Sequence, residues 1–236
     1  MDEMIKTSGI KRCFTVADGD FYALKGIDIT VPKSSLTILK GRSGSGKTTL
    51  LNIIGCLDHP SEGNLILDGE DISAADDKKL EKLRREKLGY IFQSVALIPV
   101  MNAYQNIEFS LRLSGYEGNW DERVKECLDM VGLSKRATHM PEELSGGEQQ
   151  RVAIARSIVH KPKVIFADEP TGELDSATSI KVITLFKELI AREGITIVMT
   201  THDPKMMEYG DMVYEILDGE IISVTDNTKK DSTNNT

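Results

Sequence analysis

The sequence predicts an α/β fold: a mostly parallel sheet with helices on its faces, a small antiparallel β subdomain and an inserted helical subdomain. Three observations predict it. A glycine-rich stretch, Gly41 to Leu51 (GRSGSGKTTLL), lies between an apolar β-favouring run, Leu36 to Leu39, and apolar residues at helical spacing, Leu50, Leu51, Ile53, Ile54 and Leu57. From Val164 onward strands alternate with helices, which implies a parallel sheet covered on both faces. Between these, residues 96 to 160 carry helical signals, as expected of a lobe inserted in the α/β body.

The elements follow in order. Cys13 to Val16, an Asp18-Gly19-Asp20 turn and Leu24 to Val31 read as β structure. Asp58 to Gly63 breaks the helix after the glycine-rich loop, and Leu65 to Leu67 with Asp68-Gly69 reads as a short strand and turn. Residues 73 to 88 are charge-dense and predict a solvated helix, followed by a buried strand, Gly89 to Phe92, that ends at Gln93. Asn119 and Glu122 form an N-cap pair for a helix whose apolar face is Val124, Cys127, Leu128 and Val131, stopped by Gly132. A second helix spans Gly146 to His160. The closing α/β stretch comprises strand Val164 to Ala167, helix Ser176 to Glu193, strand Ile195 to Thr200, a short helix near 204 to 209, and strands around Met212 to Ile216 and Glu220 to Val224. Residues 1–224 are thus expected to form one domain, and the polar stretch 225–236 a disordered tail.

Composition narrows the function. The 236 residues are 40% hydrophobic, enough for a full core, and 29 basic against 37 acidic residues give a net charge of -8. That charge argues against nucleic acid as partner and against adhesion to a bare anionic membrane. No run approaches the roughly 20 apolar residues of a membrane span, so a role at a membrane needs another chain as anchor. Cys13, Cys56 and Cys127 are too far apart in sequence for a disulfide framework and read as buried small hydrophobes.

The glycine-rich stretch matches the phosphate-binding loop G-x-x-x-x-G-K-[ST] at every fixed position. Gly41, Gly44 and Gly46 let the loop curl with its N-H groups around phosphate oxygens; Lys47 adds a charge near the β and γ phosphates, and Thr48 can place a hydroxyl on Mg²⁺. Asp168 and Glu169 end an apolar strand, where open parallel sheets place ligands. Asp168 is therefore a candidate Mg²⁺ ligand and Glu169 a candidate general base. In Leu144 to Gln150 (LSGGEQQ), Ser145 and Glu148 form a capping box. Gly146 and Gly147 within that first turn cost roughly 1 kcal/mol each relative to alanine, so close approach to an anion explains them better than capping does.

The order of phosphate loop, Gln93, LSGGEQQ, FADE and His202 resembles the ATPase subunit of ATP-binding cassette (ABC) transporters, a phosphate-loop NTPase family, over all but the tail. LLNIIGCLDHPSEG, GYIFQ, RVAIAR and ADEPTGELDS look most like the branch of lipoprotein-releasing and macrolide-exporter ATPases. The resemblance implies ATP and Mg²⁺ as ligands. Gly41, Arg42, Ser43, Gly44, Ser45, Gly46, Lys47, Thr48 and Thr49 would surround the phosphates, with Thr48, Gln93 and Asp168 on Mg²⁺. Ser145, Gly146 and Gly147 would close on the γ-phosphate of a second copy in a head-to-tail dimer, with Asp175 lining that interface. Glu169, His202 and Lys47 would be catalytic. The adenine would stack on Phe14 or on nearby Tyr22. Phe14, where the family usually has tyrosine, Arg42 and Glu173 are the positions where this chain departs from, or varies within, the family's pattern. Ser94 to Gln105 is either core of the helical lobe or part of a groove for a membrane permease. The implied location is the inner face of the membrane. A nucleotide-gated regulator with little turnover, a soluble non-transport protein and a force-transmitting complex are the other readings the resemblance leaves.

Overall fold

The computed structural model describes residues 2–16 and 19–229. Two sheets organise it. The first is antiparallel and comprises β1 (Glu3–Val16), β2 (Gly19–Ile27), β3 (Thr30–Pro32), β5 (Glu62–Leu67) and β6 (Glu70–Asp71). The second contains β4 (Leu36–Lys40), β7 (Leu88–Ile91), β8 (Val164–Ala167), β9 (Thr196–Thr201), β10 (Met212–Leu217) and β11 (Glu220–Asp226), in the spatial order β11-β10-β4-β9-β8-β7. Strands β10, β4, β9, β8 and β7 are parallel, and only the β10–β11 hairpin is antiparallel.

Among the described residues six α-helices cover the sheets: α1 (Lys47–Ile54), α2 (Asp77–Lys87), α3 (Ala103–Ser114), α4 (Trp120–Met130), α5 (Gly146–Ile158) and α6 (Ser176–Glu193). Strand alternation sends neighbouring residues into two separate cores. Ile38, Ile165, Ala167, Ile197 and Met199 pack with α3 to α6. Leu39, Val164, Phe166, Val198 and Tyr214 pack with α1, α2 and the antiparallel sheet. Among the described residues no helix is long and apolar enough to cross a membrane.

Several sequence expectations change in detail. Strand β1 is far longer than Cys13 to Val16, because its early residues pair with β3 and β5. The run Leu24 to Val31 is two strands, not one. Gly26 takes φ 110, the chain turns, and Thr30 and Val31 pair with Lys6 and Ile5. Strand β11 continues to Asp226, opposite Met212, so the ordered part runs past the expected boundary after Val224. Residues 230–236 of the expected tail, and Asp18 of the expected turn, lie outside the described residues. Cys56 and Cys127 are buried, and burial pushes their thiols up to about 11 and about 12, whereas Cys13 is only half-buried.

Within the helical lobe Arg123, 2% exposed, ties α4 to the end of α5, and it also reaches Glu193 of α6 at 3.7 Å. Its guanidinium donates to the carbonyls of Ile158 and Val159 at the end of α5, at 2.9 and 3.0 Å, and to Glu126 at 2.7 Å. The last carbonyls of a helix lack intrahelical donors, so this side chain supplies them. Arg123→Met is expected to lower the unfolding free energy by about 2 to 3 kcal/mol, since it leaves buried acceptors unpaired. Urea denaturation measures this, and a loss below ~0.5 kcal/mol would show that the carbonyls find other donors.

Candidate functional site

The parallel register places the ends of four strands side by side. Ile91 lies opposite Ala167, Ala167 opposite Met199, and Met199 opposite Ile38. The segments that leave these strands, carrying Gln93, Asp168 and Glu169, His202, and the glycine-rich loop, therefore emerge on one edge.

The loop is shaped by contacts that exclude side chains. Gly46, the N-cap of α1, has φ 106, and a Cβ there would lie 2.8 Å from the Ala23 carbonyl and 2.9 Å from Leu24. Only glycine allows β2 to pack this closely on the loop. Gly44 also takes a positive φ of 79. Lys47, 5% exposed, bends back across the loop and donates to the carbonyls of Gly41 and Arg42 at 2.9 and 3.0 Å. Its Nζ lies 3.8 Å from Glu169 Oε1.

A cavity of about 730 Å³ opens over this edge, within the range of small-molecule sites. Arg42, Ser43, Gly44, Gly46, Lys47, Thr48, Thr49, Gln93, Glu169 and His202 line it, as do Phe14, Phe21 and Ala23. Gly41 and Ser45 lie behind the loop; a Cβ on Gly41 would lie 2.4 Å from the Ile216 carbonyl, and the Ser45 carbonyl accepts from Gly219 N-H. Asp168 sits beneath Thr48, whose hydroxyl donates to both carboxylate oxygens at 3.0 and 3.2 Å. A hydroxyl facing a carboxylate beside a phosphate loop is an all-oxygen donor set suited to Mg²⁺. That ion commonly takes one or two carboxylates plus substrate phosphates and keeps its waters.

Glu169 has φ 43, left-handed backbone that non-glycine residues rarely adopt. Its Oε2 lies 3.2 Å from His202 Nδ1, which holds the carboxylate over the cavity. The aromatic residues are also sorted. Phe14 on β1 faces Phe21 on β2, whereas Tyr22 faces Cys13 on the other side of the ribbon. Phe14 and Phe21 reach the cavity and Tyr22 does not, with the Arg12 guanidinium stacked 4.6 Å from the Phe14 ring centroid. Phe21 was not legible as a site residue, because its role depends on cross-strand register.

Ser145 caps α5, donating to Glu148 Oε2 from its amide and hydroxyl at 2.9 and 3.0 Å; these bonds hold the Glu148 carboxyl below its usual range. Gly147 has a packing reason of its own, since a Cβ would lie 2.8 Å from Thr178 Cγ2, while Gly146 faces open space. Asp175 caps α6 and accepts from Ala177, Thr178 and the Thr178 hydroxyl, which hold its carboxyl low. Ser145, Gly146, Gly147, Glu173 and Asp175 line a cavity of about 500 Å³ that shares no residue with the one over the phosphate loop.

A third cavity, of about 710 Å³, lies between the body and the helical lobe. Leu57, Phe92, Phe109 and Leu113 give it exposed apolar walls, with Arg84 and Arg85 beside them. Of Ser94 to Gln105, only Ala96 and Ile98 line it, while Ala103 is buried in the lobe. The cavity is thus built mainly from α2, α3, β7 and the end of α5, with Leu57 after α1, and the segment Ser94 to Gln105 divides between this cavity and the core.

Residues 24–172 match the ABC transporter family. Over 220 residues the chain is 44% identical to the uncharacterised ABC transporter ATP-binding protein YknY of Bacillus subtilis, covering 93% of this chain and 95% of that one. It is 42% identical over 221 residues to the macrolide export ATP-binding/permease protein MacB of a Shewanella species, covering 93% of this chain but 34% of that longer protein. Among solved structures, the dimeric post-hydrolysis state of the ATP-binding cassette MJ0796 bound to ADP and Pi matches with a TM-score of 0.86 at 39% identity, over 94% of this chain and 98% of that one.

The aromatic geometry gives a direct test. Phe14→Ala is expected to weaken ATP binding about 10-fold, the scale of one lost base stack. Tyr22→Ala should leave it unchanged. Titration with a fluorescent nucleotide distinguishes them, and the reverse ranking would place the adenine on the other face of the ribbon.

Proposed function

Because the chain belongs to the ATP-binding cassette (ABC) transporter family, as an ATP-hydrolysing subunit, we propose that it forms two composite sites with a second copy of itself. The observation that carries this is the separation of the phosphate-loop cavity from the Ser145 cavity on one chain. In a head-to-tail dimer the loop of one copy faces Ser145, Gly146 and Gly147 of the other, and the γ-phosphate lies between them. The dimeric cassette among its structural relatives supports the arrangement.

In each site Lys47 and the loop amides bind the phosphates, and Phe14 stacks on the adenine. Thr48, Gln93 and Asp168 would hold Mg²⁺, which when bound offsets negative charge on the phosphate oxygens. Glu169 takes a proton from water as its oxygen attacks the γ-phosphorus. The bond from that phosphorus to the bridging oxygen of ADP breaks, leaving ADP and phosphate. His202 orients Glu169 across the 3.2 Å contact. Phosphate release removes the bridge between copies and favours opening.

The partner is an integral membrane permease, which holds this chain at the inner face of the membrane. Its cytoplasmic segment docks in the groove of Leu57, Phe92, Phe109 and Leu113. Phe92 lines this groove and Gln93, the next residue, lines the nucleotide cavity, so one peptide bond links the two sites. Tyr90 braces the link, stacked on Phe92 and Phe166 and donating to the Gly55 carbonyl. The permease-fused exporters among the relatives support such a partner.

Glu169→Gln is expected to bind ATP with unchanged affinity and lose about 100-fold or more in turnover. Ser145→Arg should also bind ATP yet hydrolyse almost none. Full phosphate release by the first variant would remove the base assignment, and by the second the two-copy site.

A further inference from the structure

Thr200 belongs to none of the sequence motifs and is completely buried. Its hydroxyl lies between the two carboxylate residues that follow β8. It donates to Asp168 Oδ1 at 2.6 Å and accepts the Glu169 amide proton at 2.8 Å. A hydroxyl has one proton, so donating it to the carboxylate leaves a lone pair for the Glu169 N-H; the two bonds fix a single rotamer. The first is as short as a charge-assisted O-H to carboxylate bond.

Register puts Thr200 there. Ala167 is the last paired residue of β8 and lies opposite Met199, so the next step sets Asp168 beside Thr200. The ladder has ended, and the Thr200 side chain replaces a strand carbonyl as acceptor for Glu169 N-H. On the other side of Glu169, its carbonyl accepts Gly172 N-H at 3.0 Å. These bonds flank the residue with φ 43, a conformation that persists where its surroundings hold it. Thr48 also donates to Asp168, but it is itself assigned to the metal. Thr200 is the donor whose place does not depend on the ion.

We infer that Thr200 is a positioning residue for ATP hydrolysis, its one hydroxyl setting both the orientation of the Asp168 carboxylate and the backbone from which Glu169 projects. This rests on the assignment of Asp168 to Mg²⁺ and Glu169 to the attacking water. A buried threonine also packs, and two substitutions separate packing from hydrogen bonding. Thr200→Val keeps the shape without the hydroxyl, and Thr200→Ser keeps the hydroxyl without the methyl.

The test uses the full chain carrying each substitution, with Glu169→Gln in parallel. Hydrolysis is measured, together with binding of Mn²⁺ to the ADP-loaded protein, read from loss of the free-ion paramagnetic resonance signal. Thr200→Val is expected to lose about 10- to 100-fold in kcat and about 10-fold in Mn²⁺ affinity, with the KM for ATP changed no more than about twofold. Thr200→Ser should stay within about threefold of the unsubstituted protein in both readouts. Normal turnover and Mn²⁺ affinity in Thr200→Val would overturn the inference, as would a Thr200→Ser variant that is equally impaired. If Thr200→Val does not fold, the serine variant decides, retention supporting the inference and loss overturning it. An inactive Glu169→Gln beside a normal Thr200→Val removes the inference alone. A fully active Glu169→Gln removes the base assignment beneath it.

Discussion

The parallel alignment of β7, β8, β9 and β4 is the constraint on which the site depends. Each strand is short, and each ends where a functional segment begins. Because β7 and β8 end together, with β4 and β9 ending together two residues further on, residues far apart in sequence meet on one edge. Thr48 reaches Asp168 across 120 positions and Thr200 reaches it across 32. A one-residue slip in any of these strands would turn its apolar residues to the wrong core, so the two cores that hold the sheet also hold the register. Packing and chemistry are thus set by the same pairing.

The same architecture keeps the two proposed half-sites apart on one chain. The phosphate loop and strand ends open into one cavity, and the N-terminus of α5 into another. In the helical lobe Arg123 ties α4 to the end of α5, and the lobe borders the apolar groove. A lobe that borders the groove and, in the proposed two-copy arrangement, meets the second copy through Ser145 is suited to relaying a change at one to the other. In that arrangement the γ-phosphate is the natural switch, because it is the group that the two half-sites would share.

Much of this was legible in sequence where the signal is local. The loop glycines, the Asn119 cap of α4, the capping box of α5 and the span of helix Ser176 to Glu193 need only neighbouring residues. What was not legible depends on pairing between distant strands. The split of Leu24 to Val31 follows from β3 pairing with β1, and Phe21 becomes a cavity residue only through its register with Phe14. Thr200 gave no signal because its partners lie on the next strand. Gly147 shows the converse, since a packing contact with Thr178 contributes to a glycine that the sequence assigned to anion approach.

The central claim is that nucleotide joins two copies of the chain. Sedimentation equilibrium of the Glu169→Gln protein tests it most directly. The account predicts the mass of one 26.1 kDa chain without nucleotide and twice that mass with Mg-ATP, the doubling abolished when Ser145→Arg is added to the same chain. A single-chain mass in saturating Mg-ATP, or a doubled mass that survives Ser145→Arg, would contradict it.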